Sequence, residues 1–179
     1  MILFAAVKVP PFIARQLARH QKGVSGAKWS PAEKLHITLG YFGQVPDEQA
    51  EILDMELAGK PFPSFDITLK GAGHFGRAEP HSLWAGVEEN PALSALHKHC
   101  KSAARRAGVQ MEKRLYRPHV TLAYLKPLAP LERIIAFEKR LADFQTKPFL
   151  VDEFYLFSSH RKLKGPNLYR VEASYPLLG

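Results

Sequence analysis

Only one cysteine, Cys100, occurs in the 179 residues, so no intrachain disulfide can form and a reducing compartment is expected. Long apolar runs are also missing. The opening stretch, Met1 to Val7, has no basic residues ahead of it and is closed by Lys8. It is too short for a signal segment, and nothing later approaches the ~20 apolar residues of a membrane span. It reads as a buried first strand, so the expected location is the cytoplasm, with no membrane as a partner. Acidic charge is scarce as well: 17 Asp+Glu stand against 25 Lys+Arg, a formal net charge of +8. That imbalance points either to an anionic partner, such as nucleic acid or nucleotide, or to a merely basic surface. No Ser/Gly-rich or charged low-complexity linker divides the chain.

What is present is ordinary for a globular protein. The chain is 46% hydrophobic and 11% aromatic, which excludes disorder and collagen-like order. A chain of this size buries roughly 70% of its unfolded surface, enough for one domain over residues 1–179 without covalent staples. The pattern reads strand (Ile2 to Lys8), helix (Phe12, Ile13 and Leu17 at helical spacing, stopped by Gly23), strand (Leu35 to Phe42). A helix capped by Asp47 follows, with Ile52, Leu53 and Met55 among its apolar positions, and then strands at Phe65 to Lys70 and Ser82 to Val87. Asn90-Pro91 opens a helix carrying Leu93, Leu96, Cys100 and Ala103 and ended by Gly108. A strand from Val120 to Leu125, a helix from Pro130 to Asp143 and strands at Phe149 to Phe157 and Asn167 to Tyr175 complete the chain. The expected class is α+β, with two similar lobes of antiparallel sheet and outer helices.

The strongest feature is a repeat: His36-Ile37-Thr38-Leu39 and His119-Val120-Thr121-Leu122. Given eight histidines, two such matches arise by chance roughly 0.0006 of the time. In a strand, residues two apart share a face, so His36 and Thr38 point one way while Ile37 and Leu39 enter the core. The second copy does the same. Two imidazoles facing one cleft suit proton transfer in both directions near pH 7, one neutral and accepting, the other charged and donating. The Thr38 and Thr121 hydroxyls can donate to non-bridging oxygens. The pattern holds no activated Ser or Cys nucleophile and no carboxylate partner. What fits is in-line attack of water on a phosphorus diester, with an alkoxide leaving opposite. Arg117, two residues before His119 and held extended by Pro118, adds a cation for the phosphorane.

These residues bring the sequence to a family. It resembles the 2H phosphoesterases, and among them the bacterial and archaeal RNA 2′,3′-cyclic phosphodiesterases once called 2′-5′ RNA ligases. The resemblance rests on the paired motifs, and further on Leu3-Phe4-Ala5, Trp29, Leu83-Trp84-Ala85-Gly86-Val87, Pro91-Ala92-Leu93, Arg117-Pro118 and Phe154-Tyr155-Leu156. It implies a pseudo-two-fold pair of lobes with both motifs in a central cleft, no metal and no cofactor. It also implies that His36 is the proton donor and His119 the proton acceptor, with Thr38, Thr121 and Arg117 holding phosphate oxygens. The implied reaction opens an RNA terminal 2′,3′-cyclic phosphate to a 2′-phosphate, with reversible 2′-5′ ligation as a side activity. The expected partners are RNA ends or nucleotide cyclic phosphates, bound by a monomer. Gly40 and Tyr124 depart from the family, whose members often carry basic residues there.

Two other functions remain open at this stage: a phosphodiesterase for a small cyclic nucleotide or ADP-ribose cyclic phosphate, and a catalytically silent RNA-binding module. Other apparent motifs carry less. Gly71-Ala72-Gly73-His74-Phe75-Gly76 fits a dinucleotide fingerprint, but a strand and not a helix should follow. His97-Lys98-His99-Cys100 mimics a metal cluster, yet residues i and i+2 of a helix do not face each other. Tyr41, Phe42 and Tyr124 are expected to pack, with stacking on a base as the alternative. The Arg161, Lys162 and Lys164 turn is expected to be solvated, with a phosphate contact to a longer RNA as the alternative.

Overall fold

Strand β1, Ile2–Lys8, is apolar up to Val7 because both of its faces are covered from Leu3 to Val7. Leu3, Ala5 and Val7 enter the main core, while Phe4 and Ala6 join Phe157 in a smaller cluster on the other face. The computed structural model, which describes residues 1–179, pairs β1 antiparallel with β3, His36–Gln44, and with β9, Glu153–His160. The outer edge of β9 takes β10, Leu168–Pro176. On the other side of β3 comes β7, His119–Leu125, followed by β6, Ser82–Val87, and β5, Leu69–Phe75. The sheet order is β10-β9-β1-β3-β7-β6-β5, and β2, Ala27–Trp29, shares the free edge of β7. A separate ladder pairs β4, Phe65–Ile67, with β8, Phe149–Val151.

The strands of the two lobes are joined by a single β3–β7 ladder pair, Ile37 with Val120, above a core that both lobes share. Helices α2 (Asp47–Ala58) and α3 (Pro91–Arg106) pack on each other and over the β3-β1-β9-β10 lobe. Helix α3 begins where Asn90 Oδ1 accepts the Leu93 amide at 3.1 Å, and it buries Leu93, Leu96, Cys100 and Ala103 as its spacing predicts. Helix α4 (Leu131–Arg140) lies against β5, and Arg140 reaches the carbonyls of His20 and Lys22 at 3.0 Å, just beyond α1 (Pro11–Ala18). The α+β class and the antiparallel lobes with outer helices are thus as the sequence indicates. No helix is long and apolar enough to cross a membrane.

The structure differs from the sequence reading in several particulars. The lobes are not halves of the chain: the C-terminal pair β9-β10 completes the lobe that β1 and β3 begin, and β2 crosses to the other. Phe65 to Lys70 and Phe149 to Phe157 are each broken, at Thr68 and at Asp152, because the short outer segments pair with each other and leave the main sheet. Asp47 is the first helical residue and caps nothing; Pro46 holds the cap position. Phe12, Ile52 and Met55 are exposed, and their helices bury Ile13, Ala14 and Leu17, or Leu53 and Leu57, instead.

Candidate active site

Both His-x-Thr-x motifs lie at the seam between the lobes. Ile37, Leu39, Val120 and Leu122 are fully buried, which turns His36, Thr38, His119 and Thr121 to the opposite face. Carrying the Ile37–Val120 register one residue each way sets His36 across from Thr121 and Thr38 across from His119. The two histidines are then diagonal neighbours, about 7 Å apart at the backbone.

Each ring is held in the same manner. His36 Nδ1–H donates to the Lys34 carbonyl at 2.7 Å, and His119 Nδ1–H donates to the Arg117 carbonyl at 2.6 Å. In both cases the acceptor lies two residues upstream, where the chain enters the strand. The bond fixes the tautomer and leaves Nε2 as the working nitrogen of each ring. Aromatic rings then enclose both. Phe4 lies 5.2 Å from His36 and Tyr169 meets it edge-on at 5.7 Å; Phe75 meets His119 edge-on at 4.8 Å and Trp84 lies at 6.1 Å. Gly73 is required for the second enclosure, because a Cβ there would stand 2.4 Å from the Trp84 ring.

Burial is the main reason that both imidazoles titrate below the ordinary histidine range. At His36 the bond to Lys34 opposes the effect, and the nearby His119 and Lys34 charges reinforce it. At His119 the bond to Arg117 opposes burial. In the free protein burial thus favours the neutral form of both rings.

The seam opens on two sides. A cavity of about 280 Å³ is lined by Thr38, Tyr41, Phe75, Arg117 and His119, among others. His36 borders a separate recess of about 360 Å³ with Phe4, Lys34, Phe157, Lys162 and Tyr169. Three of the five residues singled out from sequence thus share one cavity, His36 stands on the other side of the seam, and Thr121 lines neither opening. Arg117 lies outside β7, exposed, with its side chain on the cavity and its carbonyl on His119.

Sequence reasoning missed several contributors. His97 lines the cavity, donates Nδ1–H to the Leu39 carbonyl at 2.7 Å and stacks on Tyr116 at 3.9 Å. The Tyr116 hydroxyl donates to the Thr38 carbonyl at 2.8 Å, so the stacked pair braces β3 at its motif. His99, by contrast, is buried, with Nε2 2.8 Å from the Leu57 carbonyl, so the two histidines of the apparent metal cluster serve different places. Phe42 packs as expected, but Tyr41 is 47% exposed on the cavity and Tyr124 is exposed too. At Gly40 a Cβ would meet Met111 Sδ at 2.6 Å, so a side chain there requires the flexible Met111 side chain to move. The glycine-rich run falls within β5 and its turn, with β6 following, so no helix N-terminus is available to a pyrophosphate.

Comparison with known proteins agrees with this fold. The family model of the 2′-5′ RNA ligase superfamily matches residues 9–163. The RNA 2′,3′-cyclic phosphodiesterase of Thermotoga maritima is 30% identical, over 96% of this chain and 92% of its own length. Among solved structures, a Thermus thermophilus protein, TT0787, superposes with a TM-score of 0.78 at 26% identity, covering 100% of this chain and 99% of that one. E. coli LigT complexed with 3′-AMP gives 0.77 at 25%, covering 98% and 97%. With its family model matched over residues 9–163, this chain belongs to the 2′-5′ RNA ligase superfamily.

Proposed function

We propose that the protein opens a terminal 2′,3′-cyclic phosphate on RNA to a 2′-phosphate end by acid–base catalysis between His36 and His119. The observation that carries this reading is the matched pair of Nδ1–H bonds to the Lys34 and Arg117 carbonyls, which reserves Nε2 of both rings for the substrate. His119 Nε2 takes a proton from water as its oxygen attacks phosphorus. The bond from phosphorus to O3′ breaks on the opposite side, and O3′ takes a proton from His36 Nε2. Thr38 and Thr121 donate to the non-bridging oxygens, and Arg117 offsets the charge that builds on them. The terminal nucleoside occupies the cavity beside Thr38 and His119, whose volume of about 280 Å³ suits a single nucleotide. With an RNA 5′-hydroxyl in place of water, the same in-line displacement, with O3′ leaving and taking a proton from His36, forms a 2′-5′ linkage, and its reverse cleaves one. Because both motifs come from one chain around a common core of 38 buried residues, residues 1–179 serve as one catalytic unit and a monomer suffices.

The reading is supported by the Thermotoga maritima relative, which bears the cyclic phosphodiesterase name over nearly its whole length. The test is to mix the purified protein with a cyclic-phosphate-ended oligonucleotide in EDTA and identify the product end. Turnover to a 2′-phosphate is expected. A 3′-phosphate product would mean that the other ring oxygen departs, and activity that disappears in chelator and returns with Mg²⁺ or Zn²⁺ would overturn the metal-free route.

Arg117→Ala tests the phosphate clamp alone, because the backbone carbonyl that orients His119 is kept. The expected loss in kcat/KM corresponds to about 1.5–3 kcal/mol, the range for a hydrogen bond to a charged group. An unchanged kcat/KM would make Arg117 a solvated arginine whose only part is its carbonyl.

A further inference from the structure

The active-site cavity does not end at its rim. Tyr41, Met111 and Glu112 line both the cavity and a larger adjoining groove of about 1000 Å³. One wall of that groove is α3, which presents Lys98, Lys101 and Arg105; Lys113 stands on the segment beyond it. All four are exposed, and none takes part in an ion pair. The neighbouring Arg106 makes the contrast: it is bound to Glu56 of α2 and holds the two helices together. The single carboxylate on the groove, Glu112, is 3.1 Å from Arg114, so its charge is largely offset.

Spacing gives the cations a direction. Lys98, Lys101 and Arg105 follow i, i+3, i+7 and so form one stripe, while Leu96, Cys100 and Ala103 are buried on the inner side of the helix. From Lys98 to Arg105 the stripe runs about 10 Å, the length of two or three phosphates of a nucleic acid strand. Free cations in a row leading out of a nucleotide-sized cavity match a linear polyanion. A small anion would need only one of them.

We propose that the stripe of Lys98, Lys101 and Arg105, with Lys113, is the track for the RNA strand that leads into the active site, gripping its phosphates without reading its bases. The inference rests on the RNA reading of the site and extends it: the enzyme should favour a cyclic phosphate at the end of a strand over the same group on a mononucleotide. The preference should be independent of sequence and should weaken with salt, because each neutralised phosphate of a single strand contributes a slope of about −0.7 in log affinity against log salt.

The experiment compares an oligoribonucleotide of about eight residues ending in a 2′,3′-cyclic phosphate with a mononucleoside 2′,3′-cyclic phosphate. Both are measured with wild type and with the triple variant K98A/K101A/R105A. The variant should raise KM for the oligonucleotide roughly 10- to 50-fold at low salt and flatten its salt slope by about 2, leaving mononucleotide kinetics unchanged. Charge reversal in K101E/R105E should raise KM further. Unaltered oligonucleotide kinetics and salt slope in the triple variant would overturn the track. So would an equal loss on both substrates, or a length preference lost in K162E/K164E and not in the α3 variants. Anisotropy of a fluorescent oligoribonucleotide separates this inference from the functional reading. If wild type binds the strand, the triple variant does not, and neither substrate is turned over, the catalytic reading falls while the track stands.

Discussion

His36→Ala is expected to lose about 10²–10⁴-fold in turnover of a ribose 2′,3′-cyclic phosphate, the usual contribution of a positioned proton donor, and to recover much of that loss on an aryl phosphodiester. The reason is the leaving group. A ribose alkoxide departs only when it is protonated, so without the His36 Nε2 proton the bond from phosphorus to O3′ does not break at a useful rate. A nitrophenolate is stable as an anion and needs no donor. His119→Ala shows the same initial loss without the rescue, since the attacking water lacks a base whichever group leaves. The surroundings of the rings, Phe4 and Tyr169 on one side and Phe75 and Trp84 on the other, are nearly matched, so the pair of variants is what distinguishes donor from acceptor. Thermal unfolding of both variants checks that the space left between the aromatic rings has not loosened the lobes. Equal rescue of both variants would defeat the assignment of roles. Unchanged turnover in both would leave a binding module that keeps the fold without the chemistry.

The central strands could be read from sequence because their chemistry is local. Alternation at His36 to Leu39 and at His119 to Leu122 predicts one buried face and one free face, and burial of Ile37, Leu39, Val120 and Leu122 follows. The Asn90-Pro91 start of α3 is also local, a cap followed by a helix-compatible proline. What escaped depends on partners distant in sequence. Thr68 and Asp152 end their strands only because Phe65–Ile67 and Phe149–Val151 find each other more than 80 residues apart along the chain. The transfer of β9 and β10 to the first lobe depends on the free edge of β1, which no local pattern reveals. In β2, three residues hold an edge of β7 with little apolar signal of their own.

The site divides along the same line. The four His and Thr positions follow from spacing, whereas the Nδ1 bonds require the turn into each strand, where backbone geometry brings the carbonyl two residues back against the ring. The α3 spacing correctly separates His97 from His99, but it does not show that Tyr116 returns from the segment after α3 to stack on His97. Nor does it show that Phe4 and Tyr169, from β1 and β10, close around His36. The aromatic enclosures are what give the pair its electrostatics. They remove water from both rings, and that removal governs how activity depends on pH.

The kcat/KM profile is expected to be bell-shaped, with its maximum on the acid side of 6.5, and the kcat profile to lie at higher pH. Turnover needs one imidazole protonated and the other neutral. In the free enzyme burial favours the neutral form of both, so both titrations lie below the ordinary value of about 6.5. Because the rings interact, the two limbs belong to the pair. Below the lower limb the base is protonated; above the upper limb the donor has lost its proton, and kcat/KM falls tenfold per pH unit. A bound phosphodiester anion lies against both rings, favours the imidazolium form and raises both limbs, so kcat, which reports the complex, shifts towards neutrality. Stability carries the same sign. A histidine whose folded pKa is lowered contributes fully above the unfolded value and loses that contribution as pH falls through 6.5 towards the folded value. Tm should therefore drop as pH falls below 6.5, and inorganic phosphate should restore part of it by binding between the charged rings. A kcat/KM profile flat from pH 5 to 9, or an alkaline limb near the lysine and tyrosine range, would show that the histidine pair does not control the proton transfers.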